Sequence, residues 1–366
     1  MTGTSIDALD VAAVRIEGRA LDLRADIAAF VTHPLDDLAP RLRACADGHP
    51  LTAAAAAALA LDLGERHARA CRELAQRAGP PDLIALHGQT VFHSPPRSWQ
   101  LLNPWPVARD LRAVIVYDLR AADLAAGGQG APITPIADWI IHRAEHESRA
   151  IVNLGGFCNI THLPRAGAAE DIRAADVCAC NQVLDACARA ALDAPYDDGG
   201  ATALAAEPHP RARDDLRALL DAQRTARRAL GSGDEAHAWA QRWSADTPPG
   251  PLLAAVCDAL ARTIAAALDA PDRVLLAGGG VRNRALVRAL ERHCTASVET
   301  TDANNVPPEQ REAMSIAVLG ALCADRTPIT LPRVTGRAEH APLDGAWILP
   351  HAADPMPTTT HPSSAP

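Results

Sequence analysis

The sequence predicts an α/β protein built from two similar units, and three observations lead there. Its 366 residues exceed what one small core organises, since domains run to roughly 100–200 residues. Both halves open alike, with an apolar stretch, a turn of small residues and a return strand: "MTGTSIDALDVAAV" and "IVNLGGFCNITHL". After each opening, helical and strand periods alternate, the signature of layered α/β architecture. The boundary is expected near 147–150, giving units 1–147 and 148–350.

The elements follow in order. Residues 9–33 alternate as two strands, "LDVAAVRIEG" and "LDLRADIAAFVTH", joined by a Gly-Arg turn. An Ala/Leu/Arg run over 51–78 keeps a helical period and stops at Gly79-Pro80-Pro81, where proline cannot continue a helix. "DLIALHGQTVFH" reads as a buried strand entering a loop, "AVIVYDLR" as a further strand, and a helix follows near 135–146. The second unit then starts with a strand, the Gly155-Gly156 turn and a return strand. Next, "AADVCACN" is a strand that delivers Asp176 to a helix over about 181–193. Further helices are expected over about 211–230 and 252–269. "DRVLLAGGG" is a strand leading into the helix "RNRALVRALERH", followed by the strand "ASVETT" and the helix "PEQREAMSIAVLGALCA". The tail 351–366 has no apolar period and is expected to be disordered.

Composition removes several function classes. A formal charge of −9 lacks the basic footprint of a nucleic-acid surface. All basic residues are Arg, with no Lys anywhere, so a Gly-Lys-Ser/Thr phosphate loop and any lysine base are excluded. No basic region followed by an apolar segment marks the N-terminus as a signal peptide. No run of apolar residues reaches membrane-spanning length, and no membrane partner is expected. Nine cysteines are scattered without a Cys-x-x-Cys pair, which suggests reduced thiols in the cytoplasm.

Four small-residue turns sit at strand ends: Gly3-Thr4-Ser5, Gly127-Gly128-Gln129-Gly130, Gly155-Gly156 and Gly278-Gly279-Gly280. Glycine lets backbone N–H groups approach a phosphate, and a following helix N-terminus adds a positive dipole end. Any one of them reads equally as a plain tight turn. Their recurrence in matched halves favours a nucleotide held between the two units. Polar residues gather beside them. Asp7 and Asp10 follow the first turn and read either as turn caps or as carboxylates for Mg²⁺ held through water. Arg120 and Asp123 lead into the second turn, as an exposed pair worth little or as a clamp for an anionic or hydroxyl-rich ligand. His87 and His93 lack a third clustered ligand, so core or substrate-contacting roles are favoured over a metal site.

The motifs "MTGTSIDALD", "LHGQTVFH", "DLRAADLAAGGQGAP", "NLGGFCNIT", "YDDGGATA", "AGGGVRN" and "REAMSIAVLG" stand in the order found in anhydro-N-acetylmuramic acid kinases, and the chain resembles that family over residues 1–349. The resemblance implies the actin/Hsp70/sugar-kinase architecture, two ribonuclease-H-like domains flanking an ATP cleft. It implies a reaction in which ATP and water convert 1,6-anhydro-N-acetylmuramic acid into N-acetylmuramic acid 6-phosphate, in peptidoglycan recycling. A cytoplasmic, Mg²⁺-dependent homodimer is implied as well. Asp176 matches the family's catalytic base. Gly3, Thr4, Ser5, Ile6, Asp7, Ala8 and Asp10, with Gly155 and Gly156, match the ATP-phosphate side, Asp7 also standing for the metal contact. Gly278, Gly279 and Asn283 match the adenosine side, and His87, Gln89, Arg120, Asp123 and Glu312 the sugar side.

The chain departs from the family pattern in four places. The first turn begins at residue 2, where the family has a preceding strand. Ala8 replaces a glycine, "RRALGSGDE" stands where a lysine-bearing segment is expected, and Val177-Cys178-Ala179-Cys180 stands for Thr-Gly-Pro-Gly. A cysteine at any position needing positive φ is expected to be strained. These departures keep open an alternative: a relative that binds sugar and nucleotide without turnover, or a kinase of another amino sugar.

Overall fold

The computed structural model describes residues 1–3, 6–226 and 234–350. The tail 351–366, Thr4 and Ser5, and residues 227–233 of the "RRALGSGDE" segment lie outside the described residues.

The N-terminal half contains β1 (Ala8–Glu17), β2 (Arg24–Pro34), α1 (Leu38–Ala46), α2 (Ala53–Ala78), β3 (Leu83–Ala85), β4 (Gln89–Ser94), β5 (Arg97–Leu101), α3 (Trp105–Leu111), β6 (Val114–Tyr117), α4 (Ala121–Ala125) and α5 (Pro135–His142). The C-terminal half continues with β7 (Arg149–Leu154), β8 (Phe157–Leu163), β9 (Arg173–Ala179), α6 (Asn181–Leu192), α7 (Ala201–Leu204), α8 (Pro210–Ala226), α9 (Asp234–Ser244), α10 (Pro249–Ala267), β10 (Arg273–Ala277), α11 (Arg284–His293), β11 (Ser297–Thr300), α12 (Arg311–Ala324), α13 (Pro332–Thr335) and β12 (Ala346–Ile348).

The second half carries a five-stranded sheet in the order β11-β10-β7-β8-β9. Strands β7, β8 and β9 are antiparallel neighbours, while β10 pairs parallel with β7 and β11. That is the strand order of a ribonuclease-H-like unit. β7 is buried on both faces, which is why its sequence reads as a continuous apolar run. Ala150, Val152 and Leu154 point into a core with α6, α8 and α10. Ile151, on the opposite face, belongs to a second core with α5 and α12. The period of two therefore sends Asn153 toward α12 as well.

In the first half the strands pair in separate sets, the hairpins β1–β2 and β4–β5 and the sheet β12-β6-β3. Thr2 forms one antiparallel bridge to Leu9, and Asp10 N donates to Met1 O at 2.9 Å. The chain returns to this half at its end. α12 packs against both β1 and β3, close enough that a Cβ on Gly320 would lie 2.6 Å from Ala85 Cβ, and β12 pairs antiparallel with β6. Helix ends follow the sequence signals. Thr52 Oγ1 caps α2 by accepting from Ala55 N at 3.2 Å, and the helix stops at Gly79.

One expectation is corrected. α10 is 19 residues long with mean hydropathy 1.4, so by length and composition it is apolar enough to cross a membrane. Buried Leu252, Leu253, Val256, Leu260 and Ile264 place it in the core of the second half. An apolar run of this length suits a largely buried core helix, and its Asp258 is paired with Arg262 and His293.

Candidate active site

Arg120 is the centre of the site. It precedes α4, and its Nε donates to His87 Nε2 at 3.1 Å while Nη1 donates to Gly130 O at 2.6 Å. Burial lowers its guanidinium to about 10, and the charges of Asp176, Glu312 and Asp123 oppose that shift. Four expected site residues, from three separate stretches of sequence, thus share one electrostatic neighbourhood. Burial also holds His87 well below its ordinary value, helped by the Arg120 charge, so its imidazole is neutral. Its Nδ1 and the Oε1 of Gln89 are buried without a hydrogen-bond partner.

Asp123 lies deeper than a substrate contact. It is fully buried, its Oδ2 accepts from Gly130 N at 2.7 Å, and its Oδ1 accepts from Thr335 Oγ1 at 2.6 Å. A Cβ on Gly128 would lie 2.2 Å from Asp123 Oδ2, so this glycine is needed for the turn to close over the carboxylate. Asp123 braces the turn whose carbonyl orients Arg120.

Asp176 sits on β9 opposite Asn159, next to a register shift between Cys158 and Asn159. Such bulges re-aim a side chain beside an active site. Glu312, in the first turn of α12, accepts from Asn153 Nδ2 at 3.0 Å. Its neighbour Arg311 is fixed below the site, with Nε donating to Asp138 Oδ1 at 2.8 Å and Nη2 paired to Asp138 Oδ2. Thr161 Oγ1 adds a bond to Asp138 Oδ2 at 2.9 Å. Asn153 opens the motif "NLGGFCNIT" without having been assigned a role, and Asp138 is not marked by the sequence. One interrupts an apolar strand, and the other lies in a helix of apolar neighbours.

At the first turn, Ile6 is buried, Asp7 is exposed with Oδ1 accepting from Ala8 N at 2.9 Å, and Gly3 precedes them. Burial raises the Asp10 carboxyl, a 2.9 Å hydrogen bond from Thr32 opposes this, and the charges of Asp7 and Glu312 add to the rise. A divalent cation relieves such mutual repulsion. Among the described residues no group of three or more His, Cys, Asp or Glu forms a cage for a metal. Mg²⁺ needs none, because it keeps several waters and takes one or two carboxylates beside phosphate oxygens.

On the opposite side, Gly155, Gly156 and the Gly278–Gly280 turn meet. Gly278 has φ +84°, and a Cβ there would lie 2.6 Å from Asn153 Oδ1. Asn283 Oδ1 caps α11 by accepting from Ala285 N and Leu286 N, both at 3.1 Å. The loop before α7 touches this cap, since a Cβ on Gly200 would lie 2.2 Å from Asn283 Oδ1.

The cysteines after Asp176 carry no strain of the expected kind. φ is negative from Val177 to Cys180, with Cys180 at −126°. Cys178 and Cys180 are fully buried in the core of the second half. Burial pushes the Cys178 thiol up to about 12, so both are apolar filler behind the site.

Comparison with known proteins gives the family. The family model for anhydro-N-acetylmuramic acid kinase matches residues 1–349. The anhydro-N-acetylmuramic acid kinase of Salinibacter ruber is 34% identical over 381 residues, covering 96% of this chain and 95% of that protein. The one from Burkholderia cenocepacia is 36% identical over 369 residues, with 95% and 94% covered. A similar solved structure is the activator of the 2-hydroxyisocaproyl-CoA dehydratase from Clostridium difficile with bound ADPNP, at 12% identity and TM-score 0.42, covering 86% of this chain and 94% of that one. The chain belongs to the anhydro-N-acetylmuramic acid kinase family.

Proposed function

We propose that this protein uses ATP and water to open 1,6-anhydro-N-acetylmuramic acid and releases N-acetylmuramic acid 6-phosphate, a step of cell-wall recycling. The observation that carries the reading is the convergence of Asp176 and Glu312 on Arg120 in a chain of this family. Water attacking the anomeric carbon must lose a proton as the bridge oxygen leaves toward the phosphoryl group. Asp176 takes that proton as general base, a role worth about 10²–10⁴-fold in rate. Glu312, held by Asn153, binds sugar hydroxyls, and Arg120 orients the substrate with His87 and Gln89. Gly3, Thr4, Ser5, Ile6, Asp7, Ala8 and Asp10 form the phosphate side with Gly155 and Gly156, and Gly278, Gly279 and Asn283 the adenosine side. Mg²⁺, held through Asp7 and water, neutralises phosphate charge when bound.

In this reading residues 1–147 and 148–350 are the two walls of the cleft, with 311–348 crossing back onto the first. The protein works in the cytoplasm as a homodimer, which light scattering of the purified chain checks. An ADP-release assay with and without the anhydro sugar tests the activity; ADP release that ignores the sugar overturns it. In Asp176→Asn, turnover is expected to fall about 10²–10⁴-fold while calorimetry still shows ATP binding. Undiminished turnover removes Asp176 from the base role.

A further inference from the structure

Helix α6 begins with a residue that grips the Gly155-Gly156 turn twice. The backbone N–H of Asn181 donates to Gly155 O at 3.0 Å, and its Nδ2 donates to Leu154 O at 3.0 Å. The residues on either side add to the hold, with Cys180 N at 2.9 Å and Gln182 N at 3.3 Å from Gly156 O. In a trans peptide the C=O and the N–H that follows it point in opposite directions. Drawing the Leu154 and Gly155 carbonyls toward α6 therefore aims the Gly155 and Gly156 N–H groups away from it.

The same side chain meets the other glycine turn. A Cβ on Gly280 would lie 2.9 Å from Asn181 Oδ1, and one on Gly279 would lie 4.0 Å from Asn181 Nδ2. That Cβ on Gly280 would also stand 2.9 Å from Leu154 O and 2.7 Å from Leu154 Cβ. Half-buried Asn181 thus fills the gap between the turn after β7 and the turn after β10. One carboxamide fixes how the first turn faces and how near the second one comes.

We infer that Asn181 is a positioning residue for the nucleotide, setting the direction of the Gly155 and Gly156 amides and the spacing of that turn from Gly278–Gly280. The inference rests on the proposed kinase reading, in which phosphate meets the first turn and adenosine the second. A nucleotide spans both turns, so it binds best when their separation is fixed before it arrives; such preorganisation lowers the ordering cost of binding. Backbone amides aimed in advance also suit an anion. The sugar side stands on other elements, Arg120 before α4 and Glu312 on α12, so the effect is confined to ATP.

Calorimetry with ATP and steady-state kinetics of the full chain test this. Asn181→Ala is expected to weaken ATP binding and raise KM for ATP about tenfold, the scale of one lost hydrogen bond, with KM for the sugar within about twofold. Asn181→Asp keeps the shape, but its carboxylate cannot donate to Leu154 O, so ATP affinity is expected to fall at least as far. Gly280→Ala, which forces an atom between the same groups, gives the same split between ATP and sugar. Unchanged ATP affinity in Asn181→Ala, or wild-type ATP affinity in Asn181→Asp, overturns the inference and leaves the reading intact. So does a fall in thermal midpoint with both KM values raised together, which marks a merely structural residue. A wild type that binds ATP and leaves the sugar unconverted removes the reading, and ATP calorimetry of the variants then decides the inference. A wild type that does not bind ATP removes both.

Discussion

At Arg120 the fork of the guanidinium matters more than its charge. Nε and Nη1 serve two different acceptors, His87 Nε2 and Gly130 O, which a single ammonium cannot reach together. Arg120→Lys is therefore expected to lose about 10–100-fold in kcat/KM for the sugar despite keeping the charge, measured in the ADP-release assay; near-normal activity shows that charge alone suffices. Arg120, Asp176 and Glu312 were legible in the sequence because each stands in a distinctive motif. Asn153 also opens a motif, "NLGGFCNIT", but its hydrogen bond to Glu312, 159 residues away, could not be read from it. His93 closes the motif "LHGQTVFH" and reads as a core or substrate-contacting histidine.

Among the elements, α12 carries the most consequence. Arg311 and Asp138 are 1% and 0% exposed at the side chain, and their pair ties α12 to α5 directly below the site. Removing one partner leaves an uncompensated buried charge, a loss of about 3–5 kcal/mol. Asp138→Ala is expected to lower stability by that amount in urea denaturation, whereas a loss below about 1 kcal/mol refutes a locked pair. Many of the strands and helices followed from period in both halves, including β7–β8 across the Gly155-Gly156 turn, whereas α1, β5, α3 and α9 did not. The pairing of β12 with β6 did not, because a three-residue strand near the end of the chain carries too little pattern to name its partner. The cysteine run after Asp176 misled for a related reason. Sequence marks a missing glycine, but only backbone geometry tells whether positive φ was required, and from Val177 to Cys180 it was not.

For the molecule as a whole, acid is the weak side. His67 and His142 are almost completely buried, and burial lowers each to about 3 from 6.5. Between those values the unfolded chain binds protons that the folded one refuses, so stability falls as pH drops from 6.5 toward 3 and is unaffected above 6.5. Each histidine contributes about 1.4 kcal/mol per pH unit in that window. The urea midpoint is expected to fall steeply between pH 6.5 and 5, and less steeply in His142→Leu; parallel slopes exclude these groups as the cause. The general plan of two α/β halves was legible from the repeated strand–turn–strand openings. How they join was not, because the shared core of α5 and α12 against β7, β8 and β10 assembles from residues far apart in the chain. The Asn153–Glu312 hydrogen bond gains a further meaning there. Glu312 rides on a helix anchored to the first half, and Asn153 on the central strand of the second, so the bond crosses the seam at the floor of the cleft. If the halves swing apart, that point is the fulcrum. On the proposed reading, the carboxylate that meets the sugar then stays still while the walls move, a fixed mark against which closure on a substrate is gauged.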